Sequence, residues 1–320
     1  MENDTAIPEP EAEPEPHLGT CFQVTTTTIA ALVITVGTIG NILVVLVVAR
    51  MSIGRTVTDI FLASLAVADL LVCLACTPLL IVGVLRLNGH TGIHFKVEQI
   101  LFYFSSVASI LNLTAISIDR YDAVINATKR RLTTTIAYQL LVIIWATSAL
   151  VALIIFLIPP KTEFGVLALV FVAPFITMVC IYRATLKKTR QVAKVATAGS
   201  KKSLSYRMDK TVRMVIIILV VFVVSWVPSL ISRLLKYVLA HKASATSLSR
   251  MEVAACLIAY TGSALNFLVY AVMSRKFKME LYKLLGLSKY INRRVQSDNH
   301  SSMDIGKTQV VPAKSEDRTL

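Results

Sequence analysis

The stretch QILFYFSSVASILNLTAISIDRY, from Gln99 to Tyr121, decides the fold. Its first 20 residues, Gln99 to Ile118, contain no charge, and at about 1.5 Å per residue they cross the roughly 30 Å of a bilayer's hydrocarbon core. The stretch then stops on an acid, a base and a phenol: Asp119, Arg120 and Tyr121. Phe102, Ser106, Ser109, Leu113, Ile116 and Arg120 recur at steps of four and three residues, so they share one face of a helix. Hydroxyls on that face are unsuited to lipid. The segment reads as the central strut of a bundle, polar on its inner side and charged at its foot.

The rest of the chain is organised around that strut. Of 320 residues, 55% are hydrophobic and only 16% charged, with a mean hydropathy of +0.67, which places the core in lipid. A net charge of +14 would point to nucleic acid in a soluble domain. Here the basic residues sort to alternate connections, as membrane topology requires, and no nucleic-acid partner follows. The five cysteines, Cys21, Cys73, Cys76, Cys180 and Cys256, are scattered. Cys73-x-x-Cys76 has no histidine to complete a metal site and reads as a pair of core thiols. Met1 to His17 is acidic and proline-rich without an apolar run, so the first span is expected to serve as the insertion signal.

Seven apolar spans are predicted, near Thr25–Ala49, Val57–Leu85, Phe95–Ile118, Thr134–Ile158, Phe164–Arg183, Thr211–Leu235 and Leu248–Met273. Arg50 and Arg55, then Lys129, Arg130 and Arg131, then the run from Lys187 to Lys210 follow spans one, three and five. This bias puts those connections and the C-terminus in the cytoplasm and the N-terminus outside. The expected organisation is an acidic extracellular tail over 1–24, a seven-transmembrane all-α bundle over 25–273, a short amphipathic helix over 274–286 and a polar cytoplasmic tail over 287–320. An outside N-terminus makes the sequon at Asn3 a glycosylation site. The sequons at Asn112, Asn126 and Asn299 fall in the membrane or the cytoplasm and are discounted.

Several polar residues stand where hydrocarbon is expected. Asp69 is the only charge between Ile60 and Leu85, and a mid-span carboxylate costs about 2.5 to 3.5 kcal/mol on insertion scales, so it needs partners. Counted from the inner ends of their spans, Asp69, Asn41, Ser109 and Asn266 lie at similar depths, roughly 11 to 18 Å, with Ser263 one turn above Asn266. Two readings stay open: a hydrated pocket that holds a small cation, or a structural hydrogen-bond network. Prolines at Pro78, Pro159-Pro160, Pro174 and Pro228 each favour a kink in or at the end of a span.

These residues together resemble the rhodopsin-like (class A) G-protein-coupled receptors. The matching motifs are Gly40-Asn41-x-x-Val44, Leu65-Ala66-Val67-Ala68-Asp69, Asp119-Arg120-Tyr121, Trp145, Pro174 with Tyr182, Phe222-x-x-x-Trp226-x-Pro228 and Asn266-x-x-x-Tyr270, in order from about Thr25 to Leu285. The resemblance implies that Arg120 is held by Asp119 at rest and freed when span six swings out to admit a heterotrimeric G protein. It implies a switch formed by Asp119, Arg120, Tyr121, Tyr182, Asn266 and Tyr270, and a packing relay of Ile110, Pro174, Phe222, Trp226 and Pro228. It also implies a sodium site at Asp69, Ser109, Asn41, Ser263 and Asn266, no other cofactor, and arrestin, a receptor kinase and membrane lipid as further partners.

Three departures from the pattern stand out. Phe267 replaces the span-seven proline, the acid from span six that pairs with Arg120 falls at Met208 with Asp209 one residue on, and no cysteine lies in 91–98 or 159–165 to form the usual outer disulfide. A weakened resting lock is expected. The missing disulfide is loosely similar to melanocortin, cannabinoid and lysophospholipid receptors; the subfamily stays unassigned. The ligand pocket is expected at Glu98, Phe102, Tyr103, Ser106, Trp226, Arg233, Glu252, Cys256 and Tyr260. Phe102 stands where amine receptors carry a carboxylate, no lysine lies in span seven for retinal, and the basic excess near span six hints at an anionic ligand, its class otherwise unknown. The competing functions are a non-signalling receptor-fold partner and a membrane transporter. An intramembrane enzyme ranks last, because no span carries a His-Glu-x-x-His site or paired catalytic aspartates.

Overall fold

The computed structural model describes residues 18–51, 55–85, 93–126, 130–195, 198–239 and 242–287. The sequons at Asn3 and Asn299 lie outside them, as do residues 1–17 and 288–320 of the two expected tails, while α1 starts inside the expected N-terminal tail, at Thr20. Within the described residues the chain is a succession of helices without strands: α1 (Thr20–Arg50), α2 (Val57–Leu71), a π-helical turn (Val72–Cys76), α3 (Thr77–Leu85), α4 (Ile93–Ile125), α5 (Thr134–Leu157), α6 (Pro160–Val195), α7 (Ala198–Leu239), α8 (Ala245–Met273) and α9 (Arg275–Leu284). Seven stretches are long and apolar enough to cross a membrane: Thr20–Arg50, Val57–Leu85, Lys96–Ala123, Thr134–Leu157, Gly165–Lys188, Leu219–Leu239 and Ala245–Val272. Lys96–Ala123 is the most deeply buried of them and Gly165–Lys188 the least.

That ranking follows from the packing. The α4 strut lies against α2, α5, α6 and α7, while α8 closes the ring with α7 on one side and α1 on the other. The outward faces are apolar, with Val142, Leu150, Leu157, Leu169, Ile176 and Val224 all exposed. In water such a surface would aggregate; in lipid it is the ordinary exterior. Threonines on α1 do not contradict this, because Thr25, Thr28 and Thr35 each donate to the carbonyl four residues back, at 2.8 Å.

Local chemistry sets the helix ends. Thr56 and Asp59 form a capping box at the start of α2, with Thr56 N–H 2.7 Å from Asp59 Oδ2. Ser274 caps α9, accepting from Phe277 N–H at 3.2 Å; this helix belongs to a second unit, Ser274–Leu320. In the second span the π turn comes just ahead of Pro78. Proline has no N–H, and its ring crowds the carbonyl four residues earlier. The ladder widens there, and Thr77 Oγ1 donates to Val72 O, five residues back, at 2.8 Å. The wide turn is a form of relief that the proline alone did not specify.

Two close approaches lock helices together. A Cβ on Gly40 would fall 2.0 Å from the Phe267 ring, so the phenyl group that replaces the span-seven proline is seated against a bare backbone on α1. The α8 helix runs unbroken from Ala245 to Met273. A Cβ on Gly262 would likewise fall 2.2 Å from Ser225 Oγ, which brings α7 and α8 into near-backbone contact. Between α5 and α2, Trp145 Nε1 donates to Ser64 Oγ at 3.1 Å.

Candidate functional site

At the Arg120 end, Asp119 is fully buried, and a carboxylate there must be compensated. One Arg120 guanidinium nitrogen lies 3.1 Å from Asp119 Oδ2. The hydroxyl of Thr58 on α2 donates to the same oxygen. Beyond the end of α4, Arg130 donates to Asp119 Oδ1 and, at 3.2 Å, to the Asp119 carbonyl. Asp122 ties the residues after Arg130 to α4: it accepts from the N–H groups of Arg131 at 3.0 Å and Leu132 at 3.2 Å and from Asn126 Nδ2 at 2.8 Å. Arg130 Nε lies 3.7 Å from Asp122 Oδ2. Tyr121 and Tyr182 are half-buried, and the buried Tyr270 hydroxyl has no hydrogen-bond partner. The side chains of Met208 and Asp209 lie outside the described residues.

Midway along the bundle, Asp69 meets the seventh span. Asn266 Nδ2 donates to Asp69 Oδ2 at 2.9 Å, and Asn41 Nδ2 donates to Gly37 O at 3.0 Å and Ser263 O at 3.4 Å. Ser109 and Ser263 are buried beside them in depth. Asp69 Oδ1 and Asn41 Oδ1 are both buried acceptors without a donor. Orphaned oxygens of this kind suit a hard monovalent cation. Asn126 turns its amide onto Asp122 Oδ1 at 2.8 Å, and Asn112 onto Ala108 O at 2.8 Å, with the Asn112 Oδ1 also left without a donor.

Above this level the aromatic rings form a column. Phe102 and Trp226 stack at 4.8 Å, Trp226 and Phe222 at 5.6 Å, and Phe171 meets both Trp226 at 5.4 Å and Phe222 at 6.3 Å. Ile110 is fully buried, and Pro174 and Pro228 are half-buried within α6 and α7. Phe171 escaped the sequence reading. It lies one turn before Pro174, but an aromatic residue in an apolar span reads the same whether it faces lipid or the interior.

At the Glu98 end, Tyr260 donates its hydroxyl to the buried Glu98 carboxylate, and Tyr260 meets Phe102 edge-on at 5.5 Å. Arg233 lies over Tyr103 at 5.0 Å and Phe102 at 5.8 Å. Glu252 on α8 receives Lys236 Nζ at 2.6 Å and has Arg233 at 4.0 Å. Cys256 is buried. Ser106 is also buried, and its hydroxyl donates to the Phe102 carbonyl of its own helix.

A bundle of seven apolar helices with Asp119-Arg120-Tyr121 at the foot of the third is a seven-transmembrane receptor. Residues 40–165 and 159–270 match the family described as 7 transmembrane receptor (rhodopsin family), and the chain belongs to it. It is similar to the growth hormone secretagogue receptor type 1 of Mustela putorius furo, 27% identical over 316 residues that cover 86% of this chain and 83% of that one. Over 331 residues it is 26% identical to the neuromedin-U receptor 1 of Homo sapiens, with 87% and 77% covered. The chain is thus a multi-pass plasma-membrane G-protein-coupled receptor for an extracellular ligand, and not an enzyme.

Proposed function

We propose that a peptide ligand enters at the Glu98 end between α4, α7 and α8, and that its binding frees Arg120 at the other end for a heterotrimeric G protein. A peptide is the class suggested by the relatives, one a receptor for a growth hormone secretagogue and the other for neuromedin U. The ligand contacts Glu98, Phe102, Tyr103, Ser106, Trp226, Arg233, Glu252, Cys256 and Tyr260. The aromatic column carries the reading: Phe102 touches both the charged mouth and Trp226, and Trp226 touches Phe222 on the same helix. Displacement of Phe102 is therefore felt by α7 through ring contacts, with Ile110, Pro174 and Pro228 setting how that helix moves. At the foot Asp119, Arg120 and Tyr121 couple to the G protein, with Tyr182, Asn266 and Tyr270 closing the active arrangement.

The N-terminus is outside the cell and glycosylated at Asn3; the C-terminus is cytoplasmic, where arrestin and a receptor kinase act, and lipid surrounds the bundle. A sodium ion, when bound, supplies a counter-charge to Asp69. The chain's own part is to hold Asp69 through Asn266 and to leave Asp69 Oδ1 and Asn41 Oδ1 open. Exchange of NaCl for choline chloride is expected to lower the thermal midpoint of the wild-type receptor and to leave Asp69→Asn unmoved; equal sensitivity in both would remove the ion from this scheme. For the function itself, Arg120→Ala is expected to reach the surface and activate no G protein across a sensor panel screened with a peptide library. Normal signalling by that variant would overturn the mechanism.

A further inference from the structure

We propose that Arg130 is a positioning residue for G-protein activation: it shares the Asp119 carboxylate with Arg120 and so weakens the resting hold on Arg120. This rests on the receptor reading above. Asp119 carries one negative charge, and both of its oxygens are engaged, Oδ2 by Thr58 and Arg120 and Oδ1 by Arg130. Arg120 makes a single-point contact at 3.1 Å, not the two-point fork that makes arginine–carboxylate pairs strong. The Nε of both guanidiniums is buried without a hydrogen-bond partner, but that of Arg130 lies 3.7 Å from Asp122 Oδ2. Two guanidiniums on one carboxylate also repel each other.

Arg130 is the better anchored of the two. It bonds the side chain and the carbonyl of Asp119, and the residues after it are tied to α4 through Asp122 by two backbone N–H bonds. The arrangement acts most strongly when Arg120 departs. A buried carboxylate left alone is costly, and that cost would normally hold Arg120 back. Arg130 stays behind as the counter-ion, so Asp119 remains compensated and release becomes easier. The span-six position whose acid would otherwise restrain Arg120 holds Met208 in this chain, which gives the sharing of Asp119 more weight in the resting leak. Arg130 is one-third exposed, so it is also open to touching the G protein directly, and the test must separate the two roles.

The full-length receptor is expressed in cells with G-protein activation sensors, and ligand-independent output is divided by surface receptor number. Arg130→Gln is expected to lower that output roughly threefold to tenfold, the range open to a partly exposed charge-assisted bond. Arg130→Lys, which keeps the charge, is expected to stay near wild type. Asp119→Asn is expected to raise the output, and adding Arg130→Gln to it to change nothing further, because the effect runs through Asp119. The proposal is overturned by a wild-type receptor at vector level while Asp119→Asn signals, or by Arg130→Gln output at or above wild type. It is also overturned if Arg130→Gln lowers the Asp119→Asn receptor as much as the wild type, which would mark a direct G-protein contact. Silence of every variant, Asp119→Asn included, overturns G-protein coupling together with this inference.

Discussion

Each end of the bundle holds a buried carboxylate bracketed by two basic side chains, yet the two are built in opposite ways. Asp119 takes its cations from its neighbour in sequence and from Arg130, eleven residues on. Glu252 takes Arg233 and Lys236 from a different helix, across the α7–α8 contact. The foot therefore takes its cations from within about a dozen residues of chain, with Thr58 of α2 also on the carboxylate, and the mouth is an ionic clasp between helices. A change in charge at the clasp alters how α7 sits on α8, whereas one at the foot acts first on Arg120 and Arg130.

Substitutions can break this contrast in order of size. Asp119→Asn leaves two arginines without their carboxylate and is expected to cost about 3 kcal/mol, the low end for a broken buried pair because both cations are partly exposed. Thermal unfolding in detergent reads this directly, and a loss no greater than at the mouth would erase the distinction. Gly40→Ala changes neither end's chemistry, but its methyl group meets the Phe267 ring, so overpacking of about 2 kcal/mol is expected. Adding Phe267→Ala should recover part of that loss, and no recovery would mean that the clash lies elsewhere. Glu252→Gln is expected to cost about 1 to 2 kcal/mol, since Lys236 is 44% exposed and Arg233 keeps its aromatic contacts. Cross-linking between α7 and α8 should report the loosened clasp, and unchanged cross-linking would count against it. Lys236→Ala comes last, below about 1 kcal/mol and fading with salt; a salt-independent effect would point to packing of its alkyl stem.

The seven spans were legible because burial in lipid demands long apolar runs, and α4 was legible as the strut because hydroxyls share a face with Phe102 and Arg120. Depth put Asp69, Asn41, Ser109 and Asn266 at one level, since parallel rods place equal depths side by side; the structure bonds Asn266 to Asp69 and Asn41 to the Ser263 carbonyl, and Ser109 makes no such bond among the described residues. Arg130 was visible only as one of three loop cations. Its return to Asp119 depends on the path of the chain after Ile125, and periodicity carries no such information. Thr58 was equally silent, a hydroxyl near the end of a span where hydroxyls are common. Phe171 needed its ring partners before it could be told from a lipid-facing phenylalanine.

The wide turn at Val72–Cys76 makes the second span two reading frames joined by one surplus residue. Phe61, Leu65, Ala68 and Val72 face inward at helical spacing, and the inward positions then continue as Cys76, Leu80 and Val84. An unbroken 3.6-residue count from Phe61 drifts by about 1.4 positions by Val84, or about 140° of rotation. The span is thus indexed to its neighbours by an insertion. Deleting one residue from the turn, such as the exposed Leu74, would keep the span long and apolar while swinging Leu80 and Val84 off their contacts. A hydropathy plot of that chain would hardly change, and its outer half would face the wrong partners.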